Sequence, residues 1–406
     1  MTMGSWRETT LGEVCDEVGG IIQTGPFGSQ LHQSDYSDVG IPVVMPKDII
    51  EGRVAPDTVA RVSSEHVERL SRHKLLSGDI VYGRRGDIGR QALIRPDQAG
   101  WMCGTGCLRL SLGASVLDPL FLHYYLRQDD VVGWITNQAV GATMPNLNTG
   151  ILRSVPVRFP PLPVQQRIAG ILSAYDELIE NNQRRIKILE SMARTLYREW
   201  FVHFRFPGHE SVPRVPSPLG EIPQGWEVKT VEEIVKRIPV GKKYDQKTVS
   251  PTGAVPVFDQ GKSGIIGYHD DEPGIVASEI APVIVFANHT CYQRLVHIPF
   301  SVIQNVLPFV STPALSRDIY WLHWATNGLV VFNDYKGHWP EFASKMLIVP
   351  PAALCQRFGE FAATLSLQNL KLERQIQNLR RTRDLLLPRL LSGQVNIETL
   401  REGVLS

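Results

Sequence analysis

The chain has 406 residues, 43% of them apolar, and a net charge of +1. That leaves room for two or three domains with real cores, and it excludes a global field drawing the protein onto a polyanion, so any such site must be a local patch. No run of 18 or more apolar residues and no basic-then-apolar leader occurs, and the five cysteines are odd in number and scattered; the expectation is a reduced, cytoplasmic protein with no membrane contact.

After a short lead-in (MTMGS), Trp6 to Leu110 is rich in β-branched runs broken by Gly, Pro and Asp, such as IPVVMP at 41–46 and DIVYGRRGDIG at 79–89. This is α+β or mostly β texture without βαβ alternation. Leu120 to Gln128 predicts a short helix, with Pro119 at a favoured first-turn position. GATMPNLNTG at 141–150 is turn chemistry. A strand, VPVRF, then leads into Pro160-Pro161 and a long helix from Gln165 to about Trp200.

That helix carries apolar side chains at Ile168, Leu172, Tyr175, Ile179, Ile186, Leu189, Ala193, Leu196 and Trp200, with Asn182 in the one vacant seam position. Steps alternating between four and three residues mark a coiled-coil seam, which needs a partner. The partner is in the same chain. Adding 190 to the seam numbers reaches Phe358, Ala362, Leu365, Asn369, Ile376, Leu379, Arg383, Leu386 and Leu390, with Leu372 answering Asn182. Pro350-Pro351 repeats the Pro pair, while Trp226 answers Trp6 at a different offset, 220. The scaffold repeats and the globular parts differ.

Between the halves, the stretch from Pro207 to Pro223 holds five prolines and no helical pattern, and reads as an extended linker. Pro388 is expected to end or kink the second helix near Leu387, with Gly393 breaking the chain before a tail. Two helices repeated in order can pair antiparallel about a pseudo-twofold axis. Centring the pairing on each helix sets Asn182 opposite Asn369, a polar pair that would fix register. Some 36 helical residues span roughly 54 Å.

Catalytic signatures are missing. Gly261-Lys262-Ser263 ends like a phosphate-binding loop, but position 256 is Pro where the leading Gly belongs. Cys103-Gly-Thr-Gly-Cys107 has no second Cys/His pair at finger spacing, so no metal ligand is assigned. What remains suits a DNA reader. Thr24, Gly25, Phe27, Ser29 and Gln30 form a polar glycine loop, Lys47 lies on a second loop, and Arg84, Arg85 and Arg90 surround a third. In the second half Lys242, Lys243 and Tyr244, then Gln260, Lys262 and Ser263, then Asn288, His289 and Arg294 play the analogous part. Arg and Lys suit guanine, and Asn and Gln suit adenine. The plainer reading of any one of them is a solvated charge or a phosphate contact.

Two variable halves, each preceding a long helix begun by Pro-Pro-x-x-x-Gln-Arg, resemble the specificity subunit of type I restriction-modification systems. PPLPVQQRIAGIL at 160–172, TGPFGSQLHQSDY at 24–36, IPQGWEVKTVEEI at 222–234 and RRGDIG at 84–89 carry the resemblance, which covers nearly the whole chain. The second helix departs from the first in having Arg383 where the first has Ala193.

The resemblance implies an α+β chain with two target recognition domains separated by two long antiparallel coiled-coil helices. The domains would be 1–160 (first recognition domain), 161–206 (first spacer helix), 207–349 (linker and second recognition domain) and 350–406 (second spacer helix and tail). It implies a non-catalytic subunit that reads a split, asymmetric site in double-stranded DNA, with the helices as a ruler. Two modification (adenine methyltransferase) subunits and restriction/translocase subunits would be its partners. No cofactor belongs to this chain; S-adenosylmethionine, ATP and Mg would sit in the partners. A self-sufficient nuclease or methyltransferase and a protein-binding coiled-coil scaffold are the rival classes. Methylation by the chain alone would favour the first, and salt-insensitive protein binding without DNA affinity the second.

Overall fold

The computed structural model describes residues 6–395 apart from 57–58, 87, 140–145, 262–263 and 335. The chain divides into two compact units, Met1–Glu180 with Gln377–Ser406, and Asn181–Ile376. Each contains part of both long helices, Leu162–Tyr197 and Ala352–Leu391.

The first unit is built on nine framework strands: β1 Arg7–Thr10, β2 Ile21–Thr24, β3 Ile41–Val44, β4 Ala60–Val62, β5 Ile80–Gly83, β6 Gln91–Leu93, β7 Met102–Cys103, β8 Cys107–Ser111 and β9 Pro156–Phe159. They form a β1·β9 pair, a four-stranded sheet in the order β2-β8-β5-β6, and a three-stranded sheet β4-β3-β7 in which β3 and β7 run parallel. A further hairpin joins Ile49–Ile50 to Arg53–Val54.

The second unit repeats this framework strand for strand. Its strands are β10 Glu227–Thr230, β11 Val235–Arg237, β12 Val255–Phe258, β13 Ile265–His269, β14 Val283–Ala287, β15 Gln293–Val296, β16 Ser301–Val302, β17 Val306–Ser311 and β18 Met346–Val349. They pair as β10·β18, β11-β17-β14-β15 and β13-β12-β16, with β12 and β16 parallel. Arg7 faces Phe159 in β1·β9 and Glu227 faces Val349 in β10·β18, so the sequence offsets of 220 and 190 land on matching register positions. Both first strands end in a capping box. The Glu13 carboxylate accepts from Thr10 N at 3.1 Å, and the Glu233 carboxylate from Thr230 N at 2.6 Å. Each box satisfies first-turn N–H groups that have no partner within the helix.

The cores differ in character. The first packs Leu11, Tyr82, Leu108, Phe121 and Tyr124 against Ile168, Leu172 and Leu390 of the long helices. The second is aromatic, with Phe201, Trp226, Phe309, Trp321 and Phe342 around Trp200 and Phe358. Helix starts are fastened at the same carbonyl by different side chains. Gln165, fully buried, donates to Pro160 O at 2.8 Å and accepts from Asp118 N at 2.8 Å. In the second unit Arg317 Nε donates to Pro350 O at 3.0 Å.

The seam residues Ile168, Leu172, Ile179, Ala193, Trp200, Phe358, Ala362, Leu372, Ile376 and Leu390 are buried, and the helices run antiparallel. In the first unit Asp176 meets Arg383, while Ile168 and Leu172 share a core with Leu390. In the second, Asn182 donates to Gln375 at 3.3 Å, and Phe358 lies against Tyr197, Trp200 and Phe201. The expected Asn182–Asn369 pair is therefore not formed. The large rings around Phe358, not the helix midpoints, set the register, and they move the partner of Asn182 about one heptad along. The Asn369 carboxamide oxygen is buried with no hydrogen-bond partner.

Two further expectations are corrected. Of the end or kink expected at Pro388, the end does not occur: the helix continues through Pro388 to Leu391. The missing proline N–H falls in the last turn, where Leu390 and Leu391 are buried and hold the chain in place. The Pro207–Pro223 stretch is no extended linker. Arg214–Ser217 and Gly220–Pro223 form an antiparallel hairpin, turned at Gly220 (φ 96°), and Phe206 and Ile222 are buried in the second core. Prolines are compatible with such an edge ladder.

Candidate nucleic-acid interface

In the first unit, three loops distant in sequence meet at the Gly104–Gly106 turn joining β7 to β8. Gly25 N donates to Cys107 O at 2.9 Å, Gly104 N to Val44 O at 2.9 Å, and Arg84 N to Gly106 O at 2.8 Å. The loops after β2, β3 and β5 are thereby tied to one turn. Gly25, in the polar glycine loop, lets that loop come close to the Gly104 main chain. A Cβ there would lie 2.1 Å from Gly104 O, so the missing side chain is used inside the fold. Cys103 and Cys107 flank the turn, and burial pushes the Cys103 thiol up to about 12 and Cys107 well above its usual value.

The second unit carries the same ties. Ile303 N donates to Phe258 O at 3.1 Å, Asn288 N to Asn305 O at 2.9 Å, and His338 N to Asn288 O at 2.8 Å, the last answering Leu147 N to Arg84 O at 2.9 Å. Residues chosen for their chemistry thus fall at equivalent framework positions. Lys242–Tyr244 follow β11 as Gly25–Gln30 follow β2. Gln260 follows β12 as Lys47 follows β3, and Asn288-His289 follow β14 as Arg84-Arg85 follow β5.

Side-chain positions differ more. In the first unit Thr24 ends β2 opposite Leu108, Phe27 and Ser29 are exposed, and the Gln30 amide oxygen accepts from Phe27 N at 3.1 Å. Lys47 is exposed and lines a cleft of about 620 Å³ with Arg90 and Arg127. Arg84 turns inward, its Nε donating to Leu147 O at 3.3 Å, while Arg85 next to it is exposed.

The second set is more committed to the fold. Lys242 pairs with Asp271 at 2.7 Å and lies over the Tyr244 ring. Tyr244 is buried, donates to Asp271 at 2.9 Å and stacks on His269 at 4.1 Å. The Gln260 amide oxygen accepts from His289 N at 2.8 Å, and the His289 ring sits between Lys336 O and Asn305 Nδ2, both at 2.9 Å. The Asn288 carboxamide oxygen accepts from Trp339 N at 2.8 Å. Arg294 is held between Phe258 and Tyr292, donates to Gly261 O at 2.5 Å, and has its pKa lowered by burial. Lys243 is exposed. Lys262 and Ser263 lie outside the described residues.

Sequence reasoning overlooked the charge network that fastens the strands and loops of the first unit to its helices. Arg53 and Arg95 both bind Glu180, at 2.5 and 2.9 Å. One turn away Asp176 takes Arg383, Arg127 at 3.9 Å and the Tyr124 hydroxyl at 2.8 Å. Burial alone would raise the Asp176 carboxyl, but hydrogen bonds from Arg383 and Tyr124 carry it below its ordinary value. Arg383, the departure from the heptad, answers this buried carboxylate. Only the Asp-x-x-x-Glu spacing inside an otherwise apolar stripe hinted at it. Cations left exposed at the loop cluster (Lys47 and Arg85 in the first unit, Lys243 in the second) are suited to phosphate or guanine.

These features define an α+β protein in which one nine-strand framework occurs twice on two long antiparallel helices and presents different loop chemistry each time. Residues 3–191 match the sequence model of the type I restriction modification DNA specificity domain. The chain is 26% identical over 391 residues to the MjaIX specificity subunit of Methanocaldococcus jannaschii, covering 90% of this chain and 89% of that one. It is 30% identical over 159 residues to the MjaVIII specificity subunit of the same organism, covering 39% and 33%. The crystal structure of a type I restriction-modification S subunit from M. genitalium shares the fold, with a TM-score of 0.60 at 16% identity over 96% of this chain and 97% of that one. The chain is thus similar, over nearly its whole length, to specificity subunits of type I restriction-modification systems. Among the described residues, no helix is long and apolar enough to cross a membrane.

Proposed function

We propose that the chain is a non-catalytic, cytoplasmic DNA reader that recognises a split, asymmetric site in double-stranded DNA, one half through each loop cluster. The observation that carries this is the equivalence of the clusters. A common framework with unlike residues at matched positions is what two readers of different half-sites require. The module boundaries follow the repeat, with recognition domains at 1–160 and 207–349 and spacer helices at 161–206 and 350–406. Thr24, Phe27, Ser29, Gln30, Lys47, Arg84, Arg85 and Arg90 are assigned to one half. Lys242, Lys243, Gln260, Lys262, Ser263, Asn288, His289 and Arg294 are assigned to the other. Their roles divide. Arg84, Asn288 and Gln260 hold loops in place, whereas Lys47, Arg85 and Lys243 have donors free for DNA. Helix length sets the gap between the half-sites. Two adenine-methylating modification subunits and the restriction/translocase subunits assemble on this chain and supply S-adenosylmethionine, ATP and Mg.

The test is methylome sequencing of a host expressing this chain with its modification subunit, against a host lacking only this chain. A new motif of two unlike short halves around a fixed gap is expected, and exchanging residues 207–349 should alter one half alone. If the active modification subunit adds no methylation with this chain, the reading fails.

A further inference from the structure

Among the described residues the protein covers nearly all its aromatic side chains. Of its Phe, Tyr and Trp residues, only Phe27, Phe332 and Phe361 are exposed, at 56, 53 and 53%. Phe361 lies on the second long helix, 6.3 Å from the Trp200 ring. Phe27 sits in the first loop cluster, and Phe332 lies six residues before His338, which is tied to the second.

Phe27 follows Pro26 in the loop after β2, and its backbone is fixed at both ends. Phe27 N donates to the Gln30 carboxamide at 3.1 Å, and Phe27 O accepts from Gln30 N at 2.8 Å and Leu31 N at 3.3 Å. Arg69 donates to Gln30 O at 2.9 Å and closes the turn from outside. The ring therefore projects from a pedestal that needs no ordering when something covers it. In the second unit Phe332 and its neighbour Val331, 74% exposed, form an apolar tip. The segment behind them is clipped to the recognition loop. His338, fully buried, donates from N to Asn288 O at 2.8 Å, its ring lies 6.2 Å from Phe332, and Lys336 O takes the His289 ring at 2.9 Å.

We propose that Phe27 and Phe332 are base-contacting wedges, each unstacking one base step of its half-site; this rests on the DNA-reading function proposed above. Water-exposed rings are costly unless a partner covers them. Phe27 belongs to the cluster that exposes Lys47 and Arg85, where the fitting partner is a polyanion with apolar faces, which describes stacked bases. Phe332 is assigned the same partner from its place beside the matching loop of the second unit. Apolar wedges between base steps are a physical route to bent or opened duplex, and a base on an aromatic ring gains enough to change affinity about tenfold or more. Opening a step beside the target also eases extrusion of an adenine for methylation, which is impossible inside an intact stack.

The experiment uses the full chain with its modification subunit and duplexes carrying the methylated motif, with 2-aminopurine placed at each base step in turn. A rise in fluorescence at one step in each half-site is expected. Phe27→Ala should abolish one rise and Phe332→Ala the other, each weakening binding by about tenfold without changing its salt dependence, while Phe→Trp preserves both. Both sites are exposed, so unfolding does not confound the readout, and thermal melts check it. Unaltered fluorescence and affinity in both alanine variants would overturn the wedge and leave the DNA reader standing. So would loss of modification-subunit binding with DNA affinity intact, which would assign the rings to a protein contact. No affinity of the wild-type complex for any duplex would overturn both.

Discussion

Asp176→Asn removes one charge from the centre of the network beneath the first module. The Asp176 side chain is 12% exposed, Arg383 16% and Arg127 22%. Removing one partner of a buried ion pair costs about 3–5 kcal/mol. Because these groups keep a little water, we expect a loss just below that range, about 2–3 kcal/mol. In a unit of this size that lowers the melting temperature by roughly 5–10 °C, read as a shift of the first unit's transition in differential scanning calorimetry. The pH dependence carries a sign. The folded carboxyl titrates below its unfolded value, so its contribution is complete above about pH 4 and is lost as pH falls through the lowered folded value. The gap between wild type and Asp176→Asn should therefore be full at neutral pH and shrink in acid. A double-mutant cycle with Arg383→Met should give coupling above about 1 kcal/mol. A variant within about 0.5 kcal/mol of wild type at pH 7 would refute the reasoning.

Other substitutions test separate parts. Asn369→Leu removes a buried carboxamide oxygen without a partner and should stabilise the second unit by about 1 kcal/mol, seen as a higher urea midpoint; a lower midpoint would show that Asn369 is satisfied in solution. Gly25→Ala sets a methyl group 2.1 Å from Gly104 O, so about 2–3 kcal/mol of stability and recognition of one half-site should be lost together. Lys47→Ala should weaken binding to all duplexes alike and lower the slope of log affinity against log salt by about one, whereas Arg85→Ala should relax base preference at one position. Equal effects of both on specific and non-specific DNA would remove Arg85 from the readers.

The parts legible in the sequence were those with a period or a local rule. The seam is a repeat of one residue class, and the offsets of 220 and 190 both land in register because β1·β9 and β10·β18 frame each module from outside. Inside that frame the spacing drifts: Arg84 corresponds to Asn288, Val44 to Phe258 and Cys107 to Val306. No single offset aligns them, so only hydrogen-bonding partners reveal their equivalence. The helix register was hidden for a related reason. Heptads are nearly degenerate to a shift of seven, and the choice is made by bulky rings at one end and by Asp176 and Arg383 at the other. Whether a polar side chain faces water or holds a loop is equally non-local. Arg84 and Arg85 are neighbours of one type, and only Leu147, 63 residues on, separates their tasks.

The fastening of each module has a consequence for ancestry. Leu11 N reaches Val155 O and Val231 N reaches Lys345 O, the outer strands pair through their main chains, and the helix starts are held at the carbonyls of Pro160 and Pro350 by glutamine in one case and arginine in the other. Joints made to backbone atoms carry almost no residue identity. A gene could therefore trade the segment between such joints with a distant cousin and keep a foldable product, because these sockets ask for geometry and not for a particular side chain, provided that a newcomer to the first unit also answers Asp176 and Glu180. If the proposed DNA-reading function holds, novel target sites would then arise by recombination in one step, with the helices inherited unchanged.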